Sequence, residues 1–309
     1  MKPSKGDQIK VIHKEDSFSE DYQNGDIFTV EDTWYGGVQV KTALGVPLAL
    51  SESEYEPYRE TPQAGLPEGE FVGKIAVVTG GVRGIGKTIC EEFRKAGAVV
   101  CILDQEENEY FTGDLAEESV LRAFSGKVIR DYGRVDFLIN NAMLTRGGLP
   151  NCSYEDFNYV LRVGVAAPYM LTRLFQEHFG ENGSVVNISS SRDRMSQPGT
   201  ESYTAAKGGL KLLTQNICAE FGGKNIQCNG IGPGYIATQQ TAPLRERQSD
   251  GSRHPFDQFI VGRTPAGRWG EAEDLMGPAV FLASDASNCV NGHILYVDGG
   301  VLAYIGRQP

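Results

Sequence analysis

The sequence lacks long apolar runs. No stretch of its 309 residues approaches the roughly 18 consecutive apolar residues that a membrane-spanning helix requires. The first residues, Met-Lys-Pro-Ser-Lys-Gly-Asp, lead into no apolar core of a secretion signal. We therefore expect neither secretion nor a membrane partner.

Cysteine and histidine are scarce and poorly spaced for metal binding. The six cysteines contain no Cys-x-x-Cys pair, and they show no close pairing with the four histidines. This spacing argues against a zinc site and against a disulfide framework, so no metal is predicted. It also suits a reducing compartment, and we expect a cytoplasmic protein.

Basic charge is also in short supply. The formal net charge is −11, and residues 1–70 alone carry 14 acidic and 6 basic side chains. Neither this segment nor the remainder shows the basic patch that marks a nucleic-acid-binding protein. We therefore expect no nucleic-acid partner, and the acidic balance mainly favours solubility.

Residues 1–60 contain short β-like runs and no helical period. The runs are separated by turn clusters such as Gln23-Asn-Gly-Asp26, and they cover residues 8–13, 27–34, 38–42 and 46–50. This pattern predicts a small all-β, barrel-like domain, to which the sequence assigns no role. Residues 61–70 are rich in proline and glycine and predict a linker.

Residues 71–309 alternate between strand-like apolar runs and helical patterns. The predicted strands cover residues 75–78, 98–103, 135–140, 184–189, 226–230 and 293–297. Continuous apolar runs of this kind indicate strands that are buried on both faces of a parallel sheet. The repeated β–α units predict an α/β domain with a Rossmann-like, doubly wound parallel sheet that binds ligands at the carboxyl ends of its strands.

A glycine-rich turn follows the first of these strands. Gly80, Gly84 and Gly86 have no side chains to keep a pyrophosphate away from the backbone, and the next helix offers its N-terminus to the negative charge. Alone, this motif is weak evidence, because glycine-rich turns often precede helices for structural reasons.

Two charged residues bear on the choice of dinucleotide. Asp104 ends the second strand, where a carboxylate can accept hydrogen bonds from ribose hydroxyls and repels a 2′-phosphate. Arg83, inside the glycine-rich turn, favours the opposite choice because it can pair with a phosphate. We give more weight to Asp104 and predict NAD as the cofactor, with NADP as the alternative.

Tyr203 and Lys207 lie four residues apart and therefore share one face of a predicted helix. An ammonium beside a phenol favours the ionised form and lowers the phenol pKa from its usual value of ~10. A phenol tuned in this way can give or take the proton of an alcohol. In isolation such a pair is more often a solvated surface pair, but together with a dinucleotide site it predicts an alcohol–ketone oxidoreductase.

Five motifs in succession resemble the short-chain dehydrogenase/reductase family over residues 71–301. They are the turn at residues 79–86, Asp114-Leu115, Asn140-Asn141-Ala142, Ser190 with Tyr203 and Lys207, and Pro233-Gly234 followed by Thr238. Ser190 precedes Tyr203 by thirteen residues, the interval usual in the family. The resemblance implies an NAD(P)-dependent enzyme that interconverts a small-molecule secondary alcohol and a ketone.

The resemblance also implies roles for individual residues. Tyr203 would be the general acid/base, Lys207 would lower its pKa and hold the nicotinamide ribose, and Ser190 would orient the substrate oxygen. The implied cofactor-binding residues are Gly80, Arg83, Gly84, Ile85, Gly86, Asp104, Asp114, Leu115, Asn141, Ala142, Tyr203, Lys207, Pro233, Gly234, Ile236 and Thr238. Family members are commonly tetramers, so we expect a homo-oligomer, either a tetramer or a dimer.

Two positions depart from the family pattern. Met143 follows the Asn-Asn-Ala triplet where the family usually has glycine, and it would reshape or fill the wall beside the nicotinamide. Gly164 stands where the family has an asparagine that helps to hold a proton-relaying water. Because glycine has no side chain for this task, we expect a backbone carbonyl or an extra water to substitute.

The substrate is less well defined by the sequence. Residues 239–261 are polar and irregular where the family carries its substrate cover, and Arg192 and Arg194 directly follow Ser190. Guanidinium groups there suit an anionic substrate, although each is equally well explained as a surface charge. Residues 264–300 resemble gluconate 5-dehydrogenase-like family members, which favours a sugar acid. A 3-ketoacyl reductase, a hydroxysteroid dehydrogenase and a weakly active dinucleotide-binding sensor or scaffold remain alternatives.

Overall fold

The computed structural model describes residues 3–16, 19–58, 69–249 and 251–305. These residues form two compact units. The first contains the described residues up to Tyr58 together with residues 242–268, and the second contains residues 69–241 and 269–305. Most of the predicted linker, residues 61–68, lies outside the described residues. Within the described ranges, no helix is both long and apolar enough to cross a membrane.

The first unit contains two three-stranded antiparallel sheets, which confirms the predicted all-β character of the N-terminal residues. Its strands are β1 (Gln8–Val11), β2 (Ile27–Thr29), β3 (Asp32–Trp34), β4 (Gly37–Lys41), β5 (Pro47–Ser51) and β6 (Tyr55–Tyr58). The strand orders are β2–β1–β6 and β3–β4–β5. Alternate residues such as Ile9, Val40 and Leu50 point inward and form one apolar core.

Two details of this unit differ from the sequence-based prediction. The run at residues 27–34 is two strands in different sheets, because the Val30 amide donates to Asp7 whereas the Glu31 amide donates to Gln39 of β4. Strand β6 was not predicted, since Pro57 weakens its strand pattern. Proline is tolerated there because β6 is an edge strand.

Residues 242–268 contribute the helix Pro255–Arg263 to the first unit. Arg253 lies just before this helix and forms ion pairs with Glu56 of β6, at 3.4 Å, and with Asp257, at 3.2 Å. Burial and the positive charge of Arg253 lower the pKa of Arg247, and the carboxylate of Glu56 opposes this effect. Glu56 therefore supplies negative charge to two arginines from a segment distant in sequence.

The second unit is built on a seven-stranded parallel sheet. Its strands are β7 (Ile75–Thr79), β8 (Val99–Asp104), β9 (Phe111–Thr112), β10 (Val135–Asn140), β11 (Phe179–Ile188), β12 (Gln227–Pro233) and β13 (Ile294–Val297). Their order is β13–β12–β11–β10–β7–β8–β9. The order reverses between β7 and β10, and ligands of such sheets bind at this switch point. The Rossmann-like, doubly wound sheet is therefore confirmed.

Helices cover both faces of this sheet. They are α1 (Gly84–Lys95), α2 (Glu118–Tyr132), α3 (Tyr154–Leu161), α4 (Ala167–Phe175), α5 (Glu201–Phe221) and the helix Met276–Ala283. Strand β7 shows the consequence, because Ala76 and Val78 belong to one apolar cluster while Ile75 and Val77 belong to another. Burial on two faces is the reason that its sequence is continuously apolar.

The helix predicted to begin near Tyr154 is interrupted by a π-helix at Arg162–Ala166, which joins α3 to α4. Such π-turns are rare in proteins overall, and those that occur are often found at functional sites. Gly164 lies within the turn and is buried. Sequence analysis placed Gly164 in the helix that begins near Tyr154 and did not predict this interruption.

We predict that Glu56→Lys loosens residues 251–263 without unfolding the β-sheets. Like-charge contact with Arg253 would cost on the order of 1 kcal/mol and speed local hydrogen–deuterium exchange about fivefold. The matched control is Glu31→Lys, which makes the same charge change in the same unit, where Glu31 pairs with Lys41 at 2.7 Å. Equal exchange of residues 251–263 in both variants would show that Glu56 does not restrain this segment.

Candidate active site

The glycine-rich turn brings two backbone segments into very close approach. Gly80 and Gly84 have positive φ angles of 68° and 55°, which favour glycine. A Cβ atom on Gly86 would lie only 2.0 Å from the Gly80 carbonyl oxygen, so no side chain fits at that position. The turn therefore exposes its backbone and the N-terminus of α1 at the carboxyl end of β7, as an anion site requires.

Asn141 and Thr79 tie this turn to the next strand. The Asn141 side-chain amide donates to the carbonyl oxygens of Thr79, at 3.0 Å, and Gly80, at 2.9 Å. The Thr79 hydroxyl in turn accepts from the backbone amides of Asn141 and Ala142. Asn141 thus braces the turn across the switch point between β7 and β10.

Asp104 lies at the carboxyl end of β8 and is 7% exposed. Its carboxylate accepts hydrogen bonds from the backbone amides of Val82, at 3.1 Å, and Glu106, at 3.0 Å. The guanidinium of Arg83 pairs with Glu106 at 3.0 Å, and its side chain is largely exposed. The negative charge of Asp104 therefore lies beside the turn, whereas the charge of Arg83 is already paired.

Asp114 and Leu115 lie farther along the same cavity, where Tyr159 of α3 joins them. The Tyr159 hydroxyl donates to Asp114 at 2.9 Å, and burial together with this carboxylate raises the pKa of the tyrosine. Sequence analysis did not identify Tyr159. No local sequence pattern indicated this residue, because it lies on a helix that is remote in sequence from Asp114.

The other end of the cavity, near the carboxyl end of β11, contains Ser190, Tyr203 and Lys207. Ser190 follows β11 and hydrogen-bonds to Tyr203, which lies in the first turn of α5. The Lys207 amine donates to the backbone carbonyl of Ile188 and lies 5.6 Å from the centre of the Tyr203 ring. The three side chains predicted from the sequence are therefore adjacent.

The charge balance at Tyr203 differs from the sequence-based prediction. Burial raises the pKa of the phenol, while the hydrogen bond with Ser190 and the positive charge of Arg192 lower it less strongly. Burial also lowers the pKa of Lys207 to about 7. The prediction that Lys207 lowers the phenol pKa is wrong for the protein alone, because burial reduces the charge on this amine near neutral pH.

Arg192 is a buried cation near the phenol. It is 9% exposed, and its Nη2 atom donates to the Tyr235 hydroxyl, at 2.6 Å, and to Gln197. Within the described ranges no carboxylate forms an ion pair with Arg192, which is unusual because buried charges are normally paired. Arg194, by contrast, donates to Tyr296, which donates to Asp193.

A cavity of about 300 Å³ collects most of the predicted residues. The predicted residues that line it are Gly80, Arg83, Gly84, Ile85, Asp104, Asp114, Leu115, Asn141, Ala142, Ser190, Tyr203, Lys207, Pro233, Gly234, Ile236 and Thr238. Gly86, Arg192 and Arg194 do not line it. Residues that sequence analysis did not propose for the site also contribute, namely Gln105, Leu144, Thr145, Tyr159, Val163, Ile188, Ser189, Gln239, Gln240 and Thr241.

The cavity fits a nicotinamide dinucleotide in its chemistry. The glycine turn and helix N-terminus suit the pyrophosphate, and Asp104 suits the ribose hydroxyls at one end. At the other end, Ser190, Tyr203 and Lys207 form a polar group able to exchange a proton with a bound alcohol or ketone. Thr238, whose amide donates to the Thr241 hydroxyl at 2.9 Å, lies in the loop after β12.

Comparison with known proteins identifies the family. A short-chain dehydrogenase/reductase model described as enoyl-(acyl carrier protein) reductase matches residues 80–302. The chain belongs to the short-chain dehydrogenase/reductase family. It is thus a dinucleotide-dependent oxidoreductase acting on CH–OH groups, and the family model begins after the N-terminal unit.

Individual relatives are similar over nearly their whole length. A 2-dehydro-3-deoxy-D-gluconate 5-dehydrogenase of Formosa agariphila is 40% identical over 255 residues, 76% of this chain and 95% of the relative. A solved 2-keto-3-deoxy-D-gluconate dehydrogenase from Streptococcus agalactiae has a TM-score of 0.66 and 45% identity, covering 78% of this chain and 97% of that one. A gluconate 5-dehydrogenase from Burkholderia cenocepacia, solved with NADP and tartrate, has a TM-score of 0.69 and 31% identity, covering 77% and 99%.

We predict that Gly86→Ala abolishes dinucleotide binding and destabilises the fold by about 1–3 kcal/mol, because the new methyl overlaps the Gly80 carbonyl. The control is Gly126→Ala in α2, where a Cβ meets nothing within 4 Å. That change should stabilise the protein by about 1 kcal/mol. NADH fluorescence titration and thermal unfolding measure both effects, and NADH binding by Gly86→Ala as tight as that of the unmodified protein would contradict the assignment of the turn.

Proposed function

We propose that the protein interconverts a secondary alcohol of a gluconate-like sugar acid and the corresponding ketone, using NAD or NADP. The observation that carries this proposal is the convergence of Ser190, Tyr203 and Lys207 in one cavity with the glycine turn. The sugar-acid class is supported by the names of the relatives, which are dehydrogenases of gluconate and of deoxygluconates. A 3-oxoacyl substrate is the second candidate, since a 3-oxoacyl-[acyl-carrier-protein] reductase is a more distant relative at 30% identity.

In the proposed mechanism, Tyr203 moves the proton. Its hydroxyl gives a proton to the ketone oxygen in reduction and takes it back in oxidation, while the Ser190 hydroxyl hydrogen-bonds and orients the same oxygen. Lys207, held by the Ile188 carbonyl, is placed to bind ribose hydroxyls and to accept or return a proton near neutral pH. The dinucleotide, when bound, supplies or accepts the hydride.

We propose NAD as the preferred cofactor. Asp104 places a buried negative charge where a 2′-phosphate would have to lie, and the cost of bringing two like charges together disfavours NADP. Arg83 could offset this cost only by leaving Glu106, its partner at 3.0 Å. NADP remains compatible with the site, because that ion pair is exposed and therefore weak.

We propose that the positive charge of Arg192 attracts an anionic substrate. Its described hydrogen bonds use only Nη2 and neutral acceptors, so its charge is not cancelled by a carboxylate of the described residues. This charge lowers the pKa of Tyr203. A sugar-acid carboxylate bound in the cavity would gain an attraction to this charge through space, since Arg192 does not itself line the cavity.

We also propose the remaining features of the protein from its sequence and family. We propose that residues 1–60 are an added domain, residues 61–70 a linker and residues 71–309 the catalytic domain, and that the protein is a cytoplasmic homo-oligomer. The packing of residues 242–268 with the N-terminal sheets supports a role for the added domain in restraining the segment that follows Thr241.

We predict that Tyr203→Phe lowers the turnover of D-gluconate and 2-keto-3-deoxygluconate by about 10²–10⁴-fold, because the substrate oxygen loses its acid/base. The dinucleotide Kd should change little, since the ring and Lys207 remain. The measurement follows reduced nicotinamide absorbance with NAD and NADP across sugar acids, 3-oxoacyl thioesters and steroid alcohols. Turnover of 3-oxoacyl thioesters alone would replace the sugar-acid proposal, and dinucleotide binding without any turnover would indicate a sensor or scaffold.

We predict that Arg192→Gln moves the acidic limb of the pH–rate profile for alcohol oxidation to higher pH. Removing the guanidinium removes a charge that lowers the pKa of Tyr203, and the ionised phenol falls about tenfold per unit below its pKa. Because the variant also loses the attraction between this charge and a substrate carboxylate, KM for sugar acids should rise while KM for neutral alcohols should not. Arg194→Gln is the control, and an identical profile in both variants would count against the role of Arg192.

A further inference from the structure

The two residues that depart from the family pattern lie against each other. Met143 follows β10 and lines the cavity, whereas Gly164 lies in the π-helix between α3 and α4. A Cβ atom built on Gly164 would lie 2.7 Å from the Met143 sulfur and 3.1 Å from its terminal methyl carbon. The methionine side chain therefore occupies the space that any larger residue at position 164 would need.

The other neighbour of Gly164 is less able to move. The same Cβ would lie 3.0 Å from the Cβ of Ala206, which belongs to α5 and directly precedes Lys207. A helix backbone resists displacement because its neighbours are close-packed, whereas a methionine has three rotatable bonds. A side chain at position 164 would therefore be accommodated by moving Met143.

The direction of that movement matters for the cavity. Met143 and Val163, the neighbour of Gly164, both belong to the wall of the cavity that contains Tyr203 and Lys207. Because Met143 lines this cavity, the cavity offers open volume to a thioether displaced from the space beside Gly164. A larger residue at position 164 would thus reduce the space for dinucleotide and substrate by moving the Met143 side chain into the cavity.

We propose that Met143 is a specificity-determining wall residue of this oxidoreductase and that Gly164 leaves the space that the Met143 side chain occupies. The proposal rests on the proposed function and deepens it. The glycine at position 164 leaves room for the thioether beside Ala206, and the thioether seated there defines the width of the cavity next to Lys207. The two departures from the family pattern are then one compensated change, and neither residue can be replaced independently of the other.

The test is a double-mutant cycle on Met143→Ala, Gly164→Ala and the double variant. NADH Kd from fluorescence titration is measured first, followed by KM and kcat with the best sugar acid and by thermal unfolding. We expect Gly164→Ala to weaken NADH binding about tenfold in the presence of Met143, and to have an effect within about threefold when residue 143 is alanine. The methyl of the single variant displaces the thioether. With alanine at position 143, only the 3.0 Å approach to the Cβ of Ala206 remains, and that contact is the same in both backgrounds.

The matched control is Gly209→Ala. Gly209 lies on α5 and faces the same π-helix, but a Cβ there meets Val165 at an ordinary distance of 3.4 Å. It should leave the NADH Kd unchanged in either background. The proposal that Gly164 makes room for Met143 is refuted if Gly164→Ala binds NADH as tightly as the unmodified protein. It is also refuted if the effect of Gly164→Ala is the same with alanine at position 143.

The measurements separate this proposal from the proposed function. Coupled NADH binding without turnover of any sugar acid would overturn the substrate assignment and leave the Met143–Gly164 coupling in place. Turnover of a sugar acid with additive effects of the two substitutions would do the reverse. A purely structural role would show the coupling in thermal unfolding and leave NADH Kd and KM unchanged, which would also refute a role in defining the cavity.

Discussion

The hydrogen bonds between Thr79 and Asn141 are the constraint on which the site depends. They join the carboxyl ends of β7 and β10, where the strand order reverses. Asn141 also holds the Gly80 carbonyl, whose oxygen approaches α1 so closely that only glycine fits at position 86. One asparagine therefore holds the ends of the two strands together and fixes the shape of the glycine-rich turn.

Burial sets the chemistry at the other end of the cavity. Taking Lys207 and Tyr203 out of water raises the phenol pKa and brings the amine pKa to about 7, so the neutral forms of both become accessible. Arg192 restores positive charge near the phenol without pairing to a described carboxylate. In the proposed mechanism, proton transfer therefore depends on the nearby guanidinium of Arg192 as well as on the tyrosine–lysine pair, and burial makes each interaction stronger than it would be in water.

Much of the second unit could be predicted from sequence because its signals are local. Strand β7 is continuously apolar, the glycine turn follows at once, and the spacing between Ser190 and Tyr203 lies within one strand–helix unit. Features that depend on distant segments could not be predicted. Tyr159 reaches Asp114 from another helix, β6 contains a proline that only its edge position permits, and Glu56 meets Arg253 across almost two hundred residues of sequence. Nor could burial be judged from spacing, which is why the pKa of Tyr203 was predicted in the wrong direction.

The positions of Met143 and Gly164 show what a comparison of single residues misses. Considered separately, one residue adds bulk beside the nicotinamide and the other removes a polar side chain from a helix. Because the two residues are in contact, the two departures are a single change. The Met143 sulfur occupies the space that a side chain from position 164 of the π-helix would fill. An asparagine at position 164 would meet the same sulfur as an alanine, so the polar group of the family could not be restored at this position while Met143 remains in place. The chemistry available at the wall of the cavity is therefore decided by the pair, since close packing leaves room for only one of the two side chains.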